Sequence, residues 1–347
     1  MRTLLLVFVI AFIPLSLFAQ QEAAPPAVQQ NTGKNQVQDK DQVPDKDQGK
    51  VPVFRKNVNV VNILVTVKDK HGALIPNLSK DHFELLEDGK PQTIKYFSTE
   101  SDVPITLGLL IDSSKSMERT LPEEKVVASG FLQKVLTGKD LAFVISFDIS
   151  VDLLQDLTGD LHLLRGGLNK ARINTNTVGM SPMGGSGPVP TAGGQNKGTL
   201  LFDAVYLAAD EVLSRQVGRK AMVILTDGDD VGSKLRLKDS IEAAQRADTV
   251  AYVLLITDPM YPSNYGDMSK LTEQTGGRLI SVSRPDKLDK AFAEIAAELR
   301  SQYLLGFSST NPVNDGKFRR LEVKSKDGYK IQARKGYYPP NDAAASR

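Results

Sequence analysis

The sequence predicts an α/β fold with a doubly wound, mostly parallel sheet, together with a β-sandwich-like module formed by the N- and C-terminal flanking segments. Within residues 103–302, apolar strands alternate with helical patterns, as in a parallel sheet that helices cover on both faces. These strands lie at 105–111, 141–147, 221–226 and 250–256. On either side, residues 53–102 and 303–340 show the period-2 alternation of half-buried strands.

The composition excludes several classes of protein. The chain has 347 residues, with 43 basic and 41 acidic side chains and a net charge of +2. A general nucleic-acid-binding protein would show a basic excess, so we predict no nucleic-acid partner. Cysteine is absent, which excludes disulfides, thiolate catalysis and zinc–thiolate sites.

The first residues are typical of a signal peptide. Arg2 precedes an apolar run that starts at Leu4, and Ala19 stands before two glutamines. We therefore predict a signal peptide over 1–19 and a secreted or periplasmic protein with no membrane span after cleavage. The alternative is an uncleaved anchor, but the run is short for a span and contains Pro14.

Residues 20–52 are predicted to form a disordered linker. This segment is polar, contains proline and carries a near-repeat of the sequence DKDQ. Such a composition buries too little apolar surface to offset the entropy lost on ordering.

The two flanking segments each have the signals of strands and hairpins. In the N-terminal segment, Phe83, Leu85 and Glu87 alternate with their neighbours, and Asp88-Gly89 marks a turn. The C-terminal segment contains the strand-like stretches YLLGF, KFRRLEVKS and YKIQARKGYY. Each is small for independent stability, so we expect 303–340 to pair with 53–102 across the base of the central domain.

The central region, 103–302, contains amphipathic helices and one long loop. One predicted helix buries a face made by Leu201, Ala204, Val205, Ala208 and Val212. A second buries a face made by Leu288, Phe292, Ile295 and Leu299. Residues 174–197 are rich in Gly, Pro, Ser, Thr and Asn, which predicts a loop immediately before Gly198-Thr199.

Oxygen-bearing side chains follow three of these segments. Asp112, Ser114 and Ser116 follow the first strand, Thr199 opens the helix after the long loop, and Asp227 follows the strand 221–226. Open parallel sheets bind ligands at the carboxyl ends of their strands. Carboxylate and hydroxyl oxygens suit a hard cation that keeps several waters. We therefore predict a Mg²⁺ site, with Mn²⁺ or Ca²⁺ as alternatives, and an open position for a carboxylate of another molecule.

The pattern Asp-x-Ser-x-Ser, then Thr, then Asp resembles the metal-ion-dependent adhesion site (MIDAS) of von Willebrand factor A (VWA) domains and integrin inserted domains. The resemblance covers roughly 103–302 and implies the VWA fold, which is Rossmann-like. It also implies direct metal ligation by Ser114 and Ser116. For Thr199, Asp112 and Asp227, it implies ligation either directly or through water.

The flanks strengthen this resemblance. The stretches DHFELLEDGKPQTIKYF and RKGYY are similar to those of bacterial exported proteins that hold a VWA-related domain between β segments. The resemblance implies an exported, metal-dependent, adhesion-like protein that binds a protein partner through an acidic side chain. It leaves the partner and the oligomeric state open.

Each candidate residue also has a purely structural interpretation. Ser114 and Ser116 could cap the next helix, Thr199 could cap its own helix, and Asp227 could be a turn residue before glycine. The neighbouring acids Asp229 and Asp230 are predicted to be solvated loop residues.

Two other functions remain as alternatives. One is a structural envelope protein with a non-functional metal site. The other is a metal-dependent hydrolase, although a phosphatase with two aspartates in the first loop would need Asp at Ser114. The histidines, His71, His82 and His162, fall outside the strand ends, so no catalytic triad has a base there. We predict that the protein is not an enzyme.

Overall fold

A computed structural model describes residues 60–99, 103–173, 198–257 and 263–341. The predicted signal peptide 1–19, the predicted linker 20–52 and the loop 174–197 lie outside the described residues.

Fourteen strands and six α-helices make up this part of the chain. The strands are β1 (Val60–Lys68), β2 (Phe83–Glu87), β3 (Lys90–Gln92), β4 (Ile94–Thr99), β5 (Ile105–Asp112), β6 (Leu141–Phe147), β7 (Val151–Thr158), β8 (Arg219–Thr226), β9 (Thr249–Ile256), β10 (Leu279–Val282), β11 (Tyr303–Ser308), β12 (Arg319–Ser325), β13 (Lys330–Ala333) and β14 (Gly336–Tyr337). The helices are α1 (Leu121–Val135), α2 (Leu161–Lys170), α3 (Leu201–Leu207), α4 (Leu237–Arg246), α5 (Tyr265–Thr275) and α6 (Leu288–Arg300).

The central sheet has six strands in the order β10-β9-β8-β5-β6-β7. Every neighbouring pair is parallel except β6 and β7, which are antiparallel. All residues of β5, β8 and β9 are buried, which explains their near-continuous apolar sequences. The predicted α/β fold with a mostly parallel sheet is confirmed.

Helices cover both faces of this sheet because side chains alternate along each strand. On β8, Val223 and Leu225 pack with residues of α1, α2 and α6. Met222 and Ile224 on the same strand point the other way and pack with α3, α4 and α5. The predicted apolar face of 288–299 is buried as part of α6.

The flanking segments form two antiparallel sheets, in the orders β13-β1-β11-β4 and β14-β12-β2-β3. Strands from the two ends of the chain alternate in the first sheet, where Ile63 lies opposite Leu305. In the second sheet the two ends meet at the central pair β12 and β2, where Leu85 lies opposite Val323. Their shared core includes the stacked rings of Phe97 and Tyr303. The predicted β-sandwich-like module therefore requires both ends of the chain, since neither end supplies a complete sheet.

A buried ionic cluster joins the two ends of the chain inside this module. Glu87 on β2 is 3% exposed and Arg319 on β12 is 4% exposed. The Glu87 carboxylate accepts hydrogen bonds from the Tyr337 hydroxyl at 2.6 Å and the Ser309 hydroxyl at 2.5 Å, and Arg319 Nη1 lies 3.4 Å from Glu87 Oε1. Glu87 continues the buried face of Phe83 and Leu85, as the alternation predicts, but it does so as a charged group.

Among the described residues, no helix is both long enough and apolar enough to cross a membrane.

Candidate metal centre

Asp112 is the last residue of β5, at the carboxyl end of the central sheet, and its side chain is fully buried. Its Oδ1 atom accepts a hydrogen bond from the Ser114 backbone N–H at 2.9 Å. Its Oδ2 atom accepts one from the Thr226 hydroxyl at 2.7 Å. These two bonds orient the carboxylate between the loop after β5 and the end of β8.

The serine hydroxyls of the next loop do not act as helix caps. Ser114 precedes a short 3₁₀ turn, Lys115–Met117, but its side chain makes no capping hydrogen bond. Its hydroxyl instead lies 3.0 Å from the Ser116 hydroxyl. Helix α1 begins later, and its N-cap position is Thr120. The capping interpretation of Ser114 and Ser116 is therefore wrong for both residues.

Thr199 also lies outside a capping position, because the residue at the N-cap of α3 is Leu200. The Thr199 backbone pairs with Val231 through bonds of 2.9 and 3.0 Å, which joins it to the loop after β8. The next residue, Leu200, donates its N–H to the carbonyl of Asp148 at 2.8 Å. These bonds hold buried Thr199 between the ends of β6 and β8.

Asp227 follows β8 and is half-buried. Gly228 comes next with φ +88°, a left-handed conformation, and its N–H donates to the Thr226 hydroxyl at 3.0 Å. A Cβ atom at Gly228 would lie 3.0 Å from Leu255 Cδ1 and 3.1 Å from the carbonyl of Asn264. Only glycine fits this turn, which brings Asp227 beside the strand end.

Two acids of this region anchor loops to α3. Asp230 Oδ1 accepts from the Phe202 N–H at 3.0 Å and from the Ser233 hydroxyl at 2.5 Å. Asp203 accepts from the backbone N–H groups of Lys234 at 3.1 Å and Leu235 at 2.9 Å. The first N–H groups of a helix have no acceptor within it, and Asp230 supplies one for Phe202 in the first turn of α3. The prediction that Asp230 is a solvated loop acid is therefore wrong. Asp229 is exposed, as predicted.

The carboxylates of Asp112 and Asp227 repel each other. Burial raises the pKa of Asp112 to about 7, and the charge of Asp227 adds to this increase. The hydrogen bonds from Ser114 and Thr226 offset part of it. Two carboxylates in a partly desolvated setting favour a proton or a cation between them.

The donor set fits a hard divalent cation. Within the described ranges, no three His, Cys, Asp or Glu side chains are grouped as they would be in an all-acidic or histidine site. A cation here would depend on hydroxyl oxygens as well as on the two carboxylates. Mg²⁺ accepts this kind of site, because it usually keeps waters and takes one or two carboxylates.

A third buried carboxylate, Glu124 in the first turn of α1, was missed by the sequence analysis. It is fully buried, and neither of its oxygens makes a well-formed hydrogen bond, although the Thr120 hydroxyl lies near enough to lower its pKa. Burial raises the pKa of Glu124 to about 8, and Asp112 and Asp227 contribute to the increase. Its position in the sequence offers no signal, since an acid in the first turn of a helix is ordinarily exposed there.

This shift predicts a pH dependence of stability in the metal-free protein. The unfolded chain releases the Glu124 proton near pH 4.5, whereas the folded chain holds it until about pH 8. The folded state binds more protons in this window, so the free energy of unfolding falls as the pH rises through it. Urea denaturation in EDTA at pH 5 to 9 measures this slope, and Glu124→Gln is expected to flatten it. Equal slopes in wild type and Glu124→Gln would contradict the prediction, and exposed Glu123→Gln is the control.

The histidines do not join the site. His71 lies in the turn after β1, and His162 lies in the first turn of α2. His82 lies in the flanking module, where its Nδ1 atom is 2.6 Å from Asp327 Oδ2. None of the three stands at the strand ends that hold Asp112 and Asp227.

Searches with the sequence found no matching family model and no matching curated protein. The solved structures that resemble the chain include the conserved hypothetical protein BatB from Bacteroides thetaiotaomicron, with 18% identity, 56% of this chain and 98% of that chain covered, and a TM-score of 0.43. A von Willebrand factor type A structure from Catenulispora acidiphila has 12% identity, with 85% of this chain and 78% of that chain covered, and a TM-score of 0.46. The vWF domain of the type V pili tip protein Mfa5 from Porphyromonas gingivalis has 13% identity, with 56% of this chain and 94% of that chain covered, and a TM-score of 0.39.

The central unit has the doubly wound, mostly parallel α/β architecture that the sequence predicts. It combines the sheet order β10-β9-β8-β5-β6-β7, one antiparallel edge strand and helices on both faces. Von Willebrand factor type A structures are among its structural neighbours.

Proposed function

We propose that this chain is an exported, adhesion-like binding protein with a MIDAS-type centre. In this proposal, Asp112, Ser114, Ser116, Thr199 and Asp227 coordinate Mg²⁺, with Mn²⁺ or Ca²⁺ as alternatives. The cation supplies an open coordination position that an acidic side chain of a protein partner fills. The protein acts by binding rather than by catalysis, in the periplasm or outside the cell.

The observation that carries the proposal is the conformation of the loop that follows β5. Ser114 and Ser116 bring their hydroxyls within 3.0 Å of each other without capping a helix. The carboxylate of Asp112, which precedes them, is buried, and Thr226 orients it toward the end of β8, directly before Asp227. A turn that only connected β5 to α1 would need none of these arrangements.

Each of the five proposed ligands has a distinct role in the proposed mechanism. Asp112 and Asp227 supply negative charge, either directly or through water. The hydroxyls of Ser114, Ser116 and Thr199 are neutral ligands, so the site carries only two negative charges against a divalent cation. Two carboxylates balance the charge of a divalent cation, so an acidic partner would bind through the open coordination position rather than through an excess of positive charge. One structural neighbour is a type V pili tip protein, which is compatible with an exported location.

Metal titration tests the first step of this proposal. The mature chain, 20–347, is titrated with Mg²⁺ and Mn²⁺ by calorimetry, alone and with an acidic peptide present. Ser114→Ala is expected to weaken binding by roughly tenfold, because water can partly replace a neutral ligand. Ser113→Ala is the matched control, since the neighbouring Ser113 hydroxyl donates to the carbonyl of Phe147 at 3.3 Å. Equal affinities for the two variants would contradict the assignment of Ser114.

Partner capture tests the second step. Envelope extracts are passed over the immobilised mature chain with Mg²⁺, with EDTA, and with Asp227→Asn in place of wild type. Capture that requires Mg²⁺ and Asp227 supports the binding function. Metal binding without such capture would favour a structural envelope protein, and turnover of phosphate esters would favour a hydrolase.

A further inference from the structure

Three exposed side chains lie beside the candidate metal centre without belonging to it. Val231, in the loop after β8, is 49% exposed, and Tyr265, the first residue of α5, is 58% exposed. Lys115, in the loop after β5, is also exposed. Single exposed apolar residues are ordinary on a protein surface. The position of these three residues relative to the proposed ligands is what gives them a role.

Val231 lies directly beside Thr199. The two residues form an isolated antiparallel bridge, in which each backbone N–H donates to the carbonyl of the other, at 2.9 and 3.0 Å. Residues that are directly opposite in such a pair have their side chains on the same face, with Cβ atoms about 4.5–5.5 Å apart. In the proposed site Thr199 binds the cation, so the Val231 isopropyl group flanks that cation.

A structural role does not account for the exposed surface of Val231. The bridge to Thr199 uses only backbone atoms. Within the described ranges, Val231 packs into none of the three apolar clusters. A β-branched residue favours an extended backbone, but threonine would do so without exposing a second methyl group. The apolar surface of Val231 is therefore available to another molecule.

Tyr265 places a second apolar surface at the same end of the sheet. A Cβ atom at Gly228, which follows Asp227, would lie 3.1 Å from the carbonyl oxygen of Asn264. The start of α5 therefore packs against the turn that carries Asp227, and Tyr265 comes directly after Asn264. Tyrosine is enriched among the residues that dominate binding between proteins.

Lys115 places a positive charge in the loop of the serine ligands. It stands between Ser114 and Ser116, whose hydroxyls are 3.0 Å apart. Its ammonium group forms no hydrogen bond or ion pair with another residue in the described part of the chain. This charge is therefore free to meet an acid of another molecule.

The other charges around the centre make this end of the sheet asymmetric. The two carboxylates of the candidate centre balance a divalent cation, and the exposed pair Glu118 and Arg119 offset each other. Lys115 thus leaves a positive charge in the loop after β5. Asp229, exposed in the loop after β8, disfavours an acid on that side. A segment bound across the centre would meet a cationic side at Lys115 and an apolar side at Val231.

We propose that Lys115, Val231 and Tyr265 form a rim that selects which acidic protein segment binds the candidate metal centre. This inference rests on the proposed function, because the cation holds the central acid of the segment. The segment that fits has an apolar residue on one side of that acid, packed against Val231 and Tyr265. On the other side it has a second acid, which pairs with Lys115.

The test compares short peptides on the mature chain at saturating Mg²⁺, by calorimetric titration at low salt. Three glycine-flanked peptides have the cores Leu-Asp-Glu, Ser-Asp-Glu and Leu-Asp-Ser, and each core is also made in reverse order. In the preferred order, loss of leucine should weaken binding about fivefold, as expected for one buried apolar contact. Loss of the second acid should weaken it about threefold, as expected for an exposed ion pair.

Two variants assign these preferences to the rim. The double variant Val231→Ser, Tyr265→Ser should remove the preference for leucine and retain the preference for the second acid. Lys115→Gln should do the opposite. Each preference is a ratio of two affinities within one variant, so any change in Mg²⁺ affinity cancels. The matched controls are Val217→Ser and Lys139→Gln, at exposed positions before β8 and β6, at the opposite end of the sheet.

The possible failures of the inference and of the proposed function differ. Equal affinities for the three peptides in wild type would overturn the inference while leaving metal-dependent binding intact. Preferences that survive in both rim variants would do the same. If no peptide bound more tightly in Mg²⁺ than in EDTA, the proposed function would fail, and the inference would fail with it.

Discussion

Asp112→Asn is expected to abolish measurable Mg²⁺ and Mn²⁺ binding while preserving the fold. Asp112 is fully buried and is one of two carboxylates among the proposed ligands. Loss of a group that only supports a ligand already costs about 10- to 100-fold in metal affinity, so loss of a charged ligand should cost on the order of 100-fold or more. Asparagine retains an oxygen for the hydrogen bond from Ser114 or Thr226.

The same variant should not be destabilised in the absence of metal. Burial and the neighbouring Asp227 raise the pKa of Asp112 to about 7, so its charged form opposes folding above that pH. A neutral side chain removes this repulsion, and the metal-free variant should unfold at an equal or higher denaturant concentration at pH 8. Calorimetric titration and urea denaturation measure the two effects. Asp229→Asn is the matched control, because Asp229 is exposed in the same loop as Asp227.

The metal-site hypothesis fails if wild type binds neither cation at millimolar concentration, even with an acidic peptide present. It also fails if Asp112→Asn binds as tightly as Asp229→Asn. A turn residue without a metal role would leave affinity untouched and would change stability alone.

Glu87→Ala is expected to destabilise the flanking module by about 3–5 kcal/mol, the usual range for removing one partner of a buried ion pair. The substitution leaves Arg319, which is 4% exposed, without its carboxylate. It also removes the acceptor of the Tyr337 and Ser309 hydroxyls. Guanidinium denaturation measures the loss, and hydrogen exchange should show it in strands from both ends of the chain.

Two controls separate charge from packing in this experiment. Glu84→Ala changes an exposed acid on the opposite face of β2 and should stay within about 0.5 kcal/mol of wild type. The double variant Glu87→Leu, Arg319→Met should be less destabilised than Glu87→Ala, because it leaves no unpaired buried charge. Faster exchange confined to β2 would contradict joint folding of the two flanks.

Local sequence patterns predicted the strands that are buried on both faces. The spacing of the oxygen-bearing residues predicted the candidate ligands. A strand such as β8 must be apolar throughout because helices cover both of its faces, so its sequence is distinctive. The edge strand β7, VDLLQDLT, was not predicted, since most of its residues are only partly buried and its alternation is irregular. The short strand β10 was missed for a similar reason, because three of its four residues are not buried.

By itself, the sequence determined the alternation of strands and helices and the order Asp112, Ser114, Ser116, Thr199 and Asp227 along the chain. The alternation is visible because periodicity depends on neighbouring residues, and the order of the five residues can be read directly from their positions. Only the tertiary structure decided that Thr226 orients Asp112, that Glu124 is buried without a well-formed hydrogen bond, and that Val231 pairs with Thr199. Those relations join segments up to 114 positions apart, from Asp112 to Thr226. They depend on how sheets and helices pack, because burial and charge act through space rather than along the chain.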